Sequence, residues 1–231
     1  MKKIKKGKFF VIDGTDGSGK ATQTRELIKR LKKEKYRVKT IDFPQYENNF
    51  FGKMVGRYLS GEFGGAKEVS PYLASILFAA DRFETKEKID KWLKEGYIVI
   101  ADRYASSSQI HQGGKIHNSK ERKNFLDWLE EMEFKVFKIP RPKAIIYLDV
   151  PVDKTIKLLK NKSAKAKKTY LKGKKDIHED SLEHLQDAKS SAIKLIRKNN
   201  NWIRINCIKN NKLESVSVIH EIIWKKISSL I

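Results

Sequence analysis

Cysteine is almost missing from this chain. Cys207 stands alone, which excludes an intramolecular disulfide framework and fits a reducing compartment. Its setting, Trp202-Ile203-Arg204-Ile205-Asn206-Cys207, reads as a buried strand-end thiol. No apolar run approaches the roughly 20 residues of a membrane span. Lys2, Lys3, Lys5, Lys6 and Lys8 imitate the basic start of a secretory signal, but the apolar part that follows, Phe9 to Ile12, is too short for one. A soluble, cytoplasmic protein with no membrane partner is expected. The pattern also lacks a recognition helix, a zinc finger, an RNA-binding motif, a Ser/His/Asp triad, a His/Cys metal cluster and a carboxylate pair of the glycosidase kind. No internal repeat or interdomain linker breaks the chain.

Positive charge is what the chain has in excess. The formal net charge is +22 over 231 residues, a length that suits one large α/β domain with an ample core. Such charge suggests nucleic acid, membranes or phosphates as partners. Lysine greatly outweighs arginine and is spread along the whole sequence on the outer faces of striped helices, which argues against a nucleic-acid groove.

The organising stretch is Phe9-Phe10-Val11-Ile12-Asp13-Gly14-Thr15-Asp16-Gly17-Ser18-Gly19-Lys20-Ala21-Thr22-Gln23. Four apolar residues read as a buried parallel strand. A glycine loop and a lysine follow, then a helix with Thr24, Leu27, Ile28 and Leu31 on one face. Glycines allow backbone N–H groups to turn around an anion, the helix start adds partial positive charge, and Lys20 adds a full one. The spacing fits G-x-x-x-x-G-K, but Ala21 occupies the place of the hydroxyl that ligates Mg²⁺ in that pattern. Thr22, next door, points about 100° away around a helix.

Further along, residues 36–43 read as a second strand closed by Pro44, and a short helix is expected near 50–60. Ser70-Pro71 starts a helix that is apolar nearly all round, expected to be buried through the domain and to run as far as Leu93, with Gly96 as its stop. Residues 97–101 form a third strand running into Asp102-Arg103-Tyr104. A helix over 119–134 turns Phe125, Trp128, Leu129 and Met132 inward. Residues 144–150 form a fourth strand, closed by Pro151. Residues 154–175 hold ten lysines and no acid. Asp180 with Glu183 suggests a capping box for a helix striped by Leu182, Leu185, Ala188, Ala192 and Leu195. A strand at 202–207 and a helix from Leu213 to about Leu230 finish the chain.

Alternating strands and helices predict a parallel, doubly wound sheet with helices on both faces, whose ligands sit beyond the carboxyl ends of the strands. The loop at 14–20, Phe43-Pro44, Asp102-Arg103-Tyr104 and Val150-Pro151 should therefore converge on one crevice. There Asp102 is placed to hold Mg²⁺ and Arg103 to grip a phosphate bidentately. Arg82 is a second candidate anion clamp, with Phe78 one turn earlier on the same helix face. The lysine-rich segment is placed to close over a triphosphate.

Together these segments resemble the thymidylate kinases, nucleoside-monophosphate kinases of the P-loop class. The likeness rests on Phe10–Gln23, Phe43-Pro44, Leu77-Phe78-Ala79-Ala80-Asp81-Arg82, Asp102-Arg103-Tyr104-Ala105-Ser106-Ser107, Gln112-Gly113 and residues 146–151. It implies a five-stranded sheet in a single domain over 1–231 with a mobile lid at about 154–178, a homodimer, Mg²⁺, and transfer of a phosphoryl group from ATP to dTMP. It further implies that Gly14, Thr15, Asp16, Gly17, Ser18, Gly19, Lys20, Ala21 and Thr22 hold ATP. Asp16, Phe43, Phe78, Arg82, Arg103, Ser107, His111 and Gln112 would hold the acceptor, and Lys20, Asp102 and Arg103 would be catalytic, Asp102 with the metal. Four positions depart from the family pattern: Ala21; Gln45-Tyr46, where an arginine is usual; His111, where an aromatic is usual; and a lid segment offering lysine but no arginine. Two alternatives stay open at this point: a kinase for another deoxynucleoside monophosphate, and a catalytically weakened nucleotide-binding homologue.

Overall fold

Strand β1, Lys8–Asp13, lies at the centre of the sheet in a computed structural model that describes residues 6–163, 171, 176 and 181–231. It pairs in parallel with β3 (Ile98–Asp102) on one side and β4 (Ala144–Asp149) on the other. β2 (Val38–Asp42) extends the first side and β5 (Trp202–Asn206) the second. Among the described residues this makes a five-stranded parallel sheet of order β2-β3-β1-β4-β5. The strand order, not the strand direction, reverses around β1, the switch point where such sheets open a crevice.

Alternation along the strands divides the core between two faces. Phe10, Ile12, Ile100, Ile146 and Leu148 face α1 (Lys20–Lys33) and α9 (Val216–Ser228), meeting Leu27, Leu31, Ile219 and Ile223. Phe9, Val11, Val99, Ala101, Ile145 and Tyr147 face the opposite layer, which includes α5 (Ala105–Gly114) and α8 (Leu182–Lys198). Cys207 is fully buried beside the first group. Strands β1 to β4 each end on aspartate: Asp13, Asp42, Asp102 and Asp149. The register sets Asp42 and Ile12 beside Asp102, so the acidic ends form one rim.

Several expectations need correction. The helix from Pro71 stops at Glu84, and α4 (Lys86–Lys94) begins after Thr85, whose hydroxyl donates to the Asp81 carbonyl. Nor is α3 (Pro71–Glu84) buried all round: Leu73 is 61% exposed, Phe83 48% and Ile76 40%. Helix α5 went unanticipated because Ser, Gln and Gly dominate it and no apolar stripe marks it. The helix α6 (Ser119–Glu130) passes into a π-helical turn, Glu131–Val136, which buries Glu133. Ser181 caps α8, its hydroxyl accepting from the His184 N–H at 3.2 Å; Asp180 lies outside the described residues. A small hairpin, β6 (Ile208–Lys209) with β7 (Lys212–Leu213), turns through Asn210 and Asn211 at positive φ, so α9 starts at Val216 under a Ser215 cap. Helix α2 (Phe50–Leu59) lies where a short helix was expected. The lid expected near 154–178 begins in α7 (Val152–Ser163) and otherwise falls largely outside the described residues.

Candidate active site

The loop between β1 and α1 is shaped by positions that no side chain suits. A Cβ on Gly17 would meet the Thr155 carbonyl oxygen at 2.5 Å, and one on Gly14 the Ser18 hydroxyl at 2.5 Å. Gly19, at φ 89°, leads directly into α1. Lys20 starts that helix. Its Nζ donates to the Gly14 and Thr15 carbonyls, both at 3.0 Å, and sits 3.9 Å from the Asp16 carboxylate. Burial, then the nearby Arg103, lower its pKa, against the pull of Asp16, Asp102 and Asp13. The ammonium is thus parked on loop carbonyls, where an arriving phosphate offers a better partner.

Arg103 follows β3 at φ 67°, an uncommon conformation for a residue with a side chain and one that concentrates at functional sites. Its N–H donates to the Ile12 carbonyl at 3.0 Å, tying the turn to β1. The guanidinium pairs through Nη2 with Asp16, while Nη1 lies 3.4 Å from the Ser107 hydroxyl and 3.2 Å from His111 Nε2. Burial opposes its charge, but Asp16, Asp13 and Asp102 outweigh that and raise its pKa. Asp16 therefore joins the glycine loop to the end of β3.

Asp13 fixes the start of α5. Its carboxylate accepts from the Ser106 hydroxyl at 2.5 Å, the Ser107 hydroxyl at 3.0 Å and the Gly14 N–H at 2.8 Å. Asp102 has its pKa raised by burial, with Lys20 and Arg103 pulling the other way. Phe43 packs on Tyr104 with centroids 5.6 Å apart. Beyond Pro44, the Gln45 N–H donates to the Asp81 carboxylate at 3.2 Å. Burial lifts Asp81 to about 6.

Phe78 meets Tyr58 edge-on at 6.0 Å. Arg82, on the following turn, is almost wholly buried. Its Nε and Nη2 bind the Glu133 carboxylate at 2.7 and 2.6 Å, and Nη2 also donates to the Ser108 hydroxyl at 3.0 Å. His111 continues inward from Arg103: its Nδ1 is 3.1 Å from His184 Nε2, and the rings stack at 5.3 Å.

These groups surround a cavity of about 560 Å³, within the usual range for small-molecule sites. Asp16, Gly17, Gly19, Lys20, Ala21 and Thr22 line it from the loop, and Phe43, Phe78, Arg82, Asp102, Arg103, Ser107, His111 and Gln112 from the opposite side. Of the expected site residues, Gly14, Thr15 and Ser18 stay in the body of the loop, outside that lining. Arg25, Asp42, Tyr46 and Asp176 also line it, and Asp13, Glu133 and His184 support it from behind. None of the seven was expected as a site residue, although Gln45-Tyr46 was noted as standing where an arginine is usual. Asp13 and Asp42 carried the signal of acids at strand ends; Glu133 and His184 carried none, because the partners of each are distant in the chain. Ala21, Asp42 and Asp102 line both this cavity and the one adjoining it, so two carboxylates lie on the Ala21 side. That set is hard and suits Mg²⁺, which is commonly held by one or two carboxylates together with substrate phosphates and water.

A glycine loop at a helix start, a lysine, an acidic β3 end and an adjoining arginine in one crevice define a P-loop nucleoside-monophosphate kinase, a phosphotransferase. The sequence profile of the thymidylate kinase family matches residues 12–219. The chain belongs to the thymidylate kinase family, whose members phosphorylate dTMP to dTDP with ATP. It is 28% identical over 228 residues to the thymidylate kinase of Plasmodium falciparum, covering 98% of this chain and 92% of the relative. It is 37% identical over 164 residues to a probable thymidylate kinase of Thermococcus onnurineus, covering 68% and 73%. The solved thymidylate kinase of Candida albicans shares the fold with a TM-score of 0.72 at 22% identity, over 97% of this chain and 92% of that one.

Proposed function

We infer that this chain transfers the γ-phosphoryl group of ATP to dTMP. ATP sits on the loop from Gly14 to Thr22, and dTMP in the part of the cavity bounded by Phe78, Arg103, Ser107, His111 and Gln112. The observation that carries this reading is the Asp16–Arg103 ion pair, which joins a donor-phosphate loop and an acceptor-phosphate arginine at one point. Phosphoryl transfer asks chiefly for alignment and neutralisation of charge. Lys20 leaves the loop carbonyls for the transferring phosphate, and Arg103 takes the acceptor phosphate bidentately. Asp16, on exchanging Arg103 for the substrate, meets the sugar hydroxyl. Phe78 stacks on the base. Arg82 lines the same wall, with Nε and Nη2 held by Glu133 and Ser108 and Nη1 donating to the Tyr104 carbonyl at 3.5 Å, so that its fixed guanidinium adds positive charge beside the base or phosphate.

Mg²⁺, held by Asp102, would neutralise phosphate charge. Ala21 offers no ligand, so Asp42 would be the second carboxylate available to hold the ion. The chain works as one domain over 1–231, with a lid at about 154–178 that covers the triphosphate. A homodimer is favoured by the exposed apolar stripe Leu73, Ile76 and Phe83 on α3, at helical spacing. The lone buried Cys207 suits the cytoplasm.

A coupled assay with ATP, Mg²⁺ and a panel of dTMP, dUMP, dCMP, dGMP and dAMP tests the reading. The highest kcat/KM is expected for dTMP. Preference for another base, or tight ATP binding without transfer to any, would overturn it.

A further inference from the structure

His184 belongs to α8, 73 residues from His111, yet its ring is buried against it. Hydrogen-bond logic assigns the protons of this pair. Arg103 is a donor only and stays charged, so at 3.2 Å from Nη1 the His111 Nε2 must present its lone pair. His111 therefore carries its proton on Nδ1. At 3.1 Å that N–H donates to His184 Nε2, which must also be a lone pair. Both rings are then neutral, each with its proton on Nδ1. A proton added to either ring would set donor against donor, at Arg103 or between the rings. The surroundings agree: burial holds His111 well below its usual pKa and His184 near 4, with Lys115 and Arg103 adding repulsion against the pull of Asp16. His184 is the third residue of α8 and its N–H is fixed by the Ser181 cap, and that helix end further disfavours positive charge.

We propose that His184 is a positioning residue for the acceptor phosphate: by accepting from His111 Nδ1 it fixes the His111 tautomer, which in turn holds the Arg103 guanidinium in the crevice against Asp16. The inference rests on the reading that Arg103 grips the acceptor phosphate. His184 does not line the cavity, and its proposed effect on the acceptor phosphate runs through His111. His111 thus holds a place where the family usually has an aromatic, and the second histidine is the partner that makes a polar ring workable there.

The test uses the full-length chain in steady-state assays with dTMP and ATP. Losing one buried hydrogen bond corresponds to up to about a tenfold change, so His184→Leu is expected to raise the KM for dTMP by about that factor. The KM for ATP and kcat should stay within about twofold. His184→Gln, whose amide oxygen still accepts from His111, should restore most of the dTMP affinity. His184→Glu guards against a trivial folding effect. It completes a capping box with Ser181 and should hold or raise the melting temperature, yet its charge draws a proton onto His111 and turns a donor toward Arg103. Stability and dTMP affinity should therefore move in opposite directions. In a His111→Phe background, His184→Leu should add nothing. An unchanged dTMP KM in His184→Leu and His184→Glu would overturn the proposal, as would equal effects on ATP and dTMP, or an undiminished effect in the His111→Phe background. Arg103→Ala, run alongside, separates the two levels: if it spares dTMP binding and turnover, the reading of Arg103 fails, and if it abolishes them while both His184 variants are silent, only the His184 role fails.

Discussion

Lys20 and Arg103 carry their charges into the crevice under opposite conditions. Lys20 rests on carbonyls and is destabilised as an ammonium, whereas Arg103 is held by acids that reinforce it. Both are expected to be indispensable. Lys20→Ala and Arg103→Ala should each lower kcat by about 10²-fold or more, the scale for removing a preorganised charge stabiliser, with circular dichroism unchanged; a variant with near-normal turnover would drop out of the mechanism. Ala21→Ser restores a metal-binding hydroxyl and is expected to lower the Mg²⁺ concentration for half-maximal rate, with tighter Mn²⁺ binding by titration calorimetry in the presence of ATP. His184 sets a pH dependence. Its folded pKa near 4 lies below the ordinary 6.5, so between those values the unfolded chain binds a proton that the folded one refuses. Its stabilisation is full above pH 6.5 and is lost as the pH falls toward 4, by about 3 kcal/mol over the whole window. Asp81, raised to about 6, acts with the opposite sign between its unfolded pKa and 6. The clean measurement is the difference in urea stability between the native chain and His184→Gln, at pH 7 and pH 5. The difference should shrink as the pH falls.

At the level of elements, the π-helical turn after α6 is the piece with most resting on it. It rotates Glu133 inward to a two-point ion pair with Arg82, both nearly inaccessible to water. Removing one partner of such a pair leaves a buried charge alone, so Glu133→Ala is expected to lower stability by about 3–5 kcal/mol, read from denaturant unfolding. The same turn shows where sequence reasoning stops. The strand–loop–helix at 9–31, the strand ends and the Asp102-Arg103 step were legible because strand burial, glycine spacing and helix stripes are local signals. Glu133 was not, since a glutamate inside a charged helix reads as solvated unless a buried arginine is known to wait 51 residues away. Helix α5 escaped for a related reason. Its serines are drawn inward by Asp13, and that polar attachment leaves no apolar period. The break at Thr85 and the start of α9 at Val216 were missed because a threonine hydroxyl and a two-asparagine hairpin punctuate the chain without glycine or proline.

For the whole molecule, the exposed stripe on α3 matters most. Leu73 and Ile76 were expected inside, and with Phe83 they are exposed on a helix whose composition is that of a buried one. The proposed dimer would cover that stripe with a second copy of the chain without altering the fold. Leu73→Asp combined with Ile76→Glu is expected to give a monomer by light scattering where the unaltered chain gives a dimer; a monomeric unaltered chain would remove the dimer from the account. Architecture was the most legible level of all, because alternating strands and helices leave few arrangements.

The contact between Asp16 and Arg103 has one more consequence. The guanidinium is never vacant: the protein supplies its own stand-in for the guest's negative group. With Arg103 taking the acceptor phosphate as proposed, docking would be a swap of one anion for another rather than a simple addition. A free orthophosphate, with no base or sugar to compensate for evicting the carboxylate, competes poorly, whereas a whole nucleotide brings enough other contacts to win the exchange.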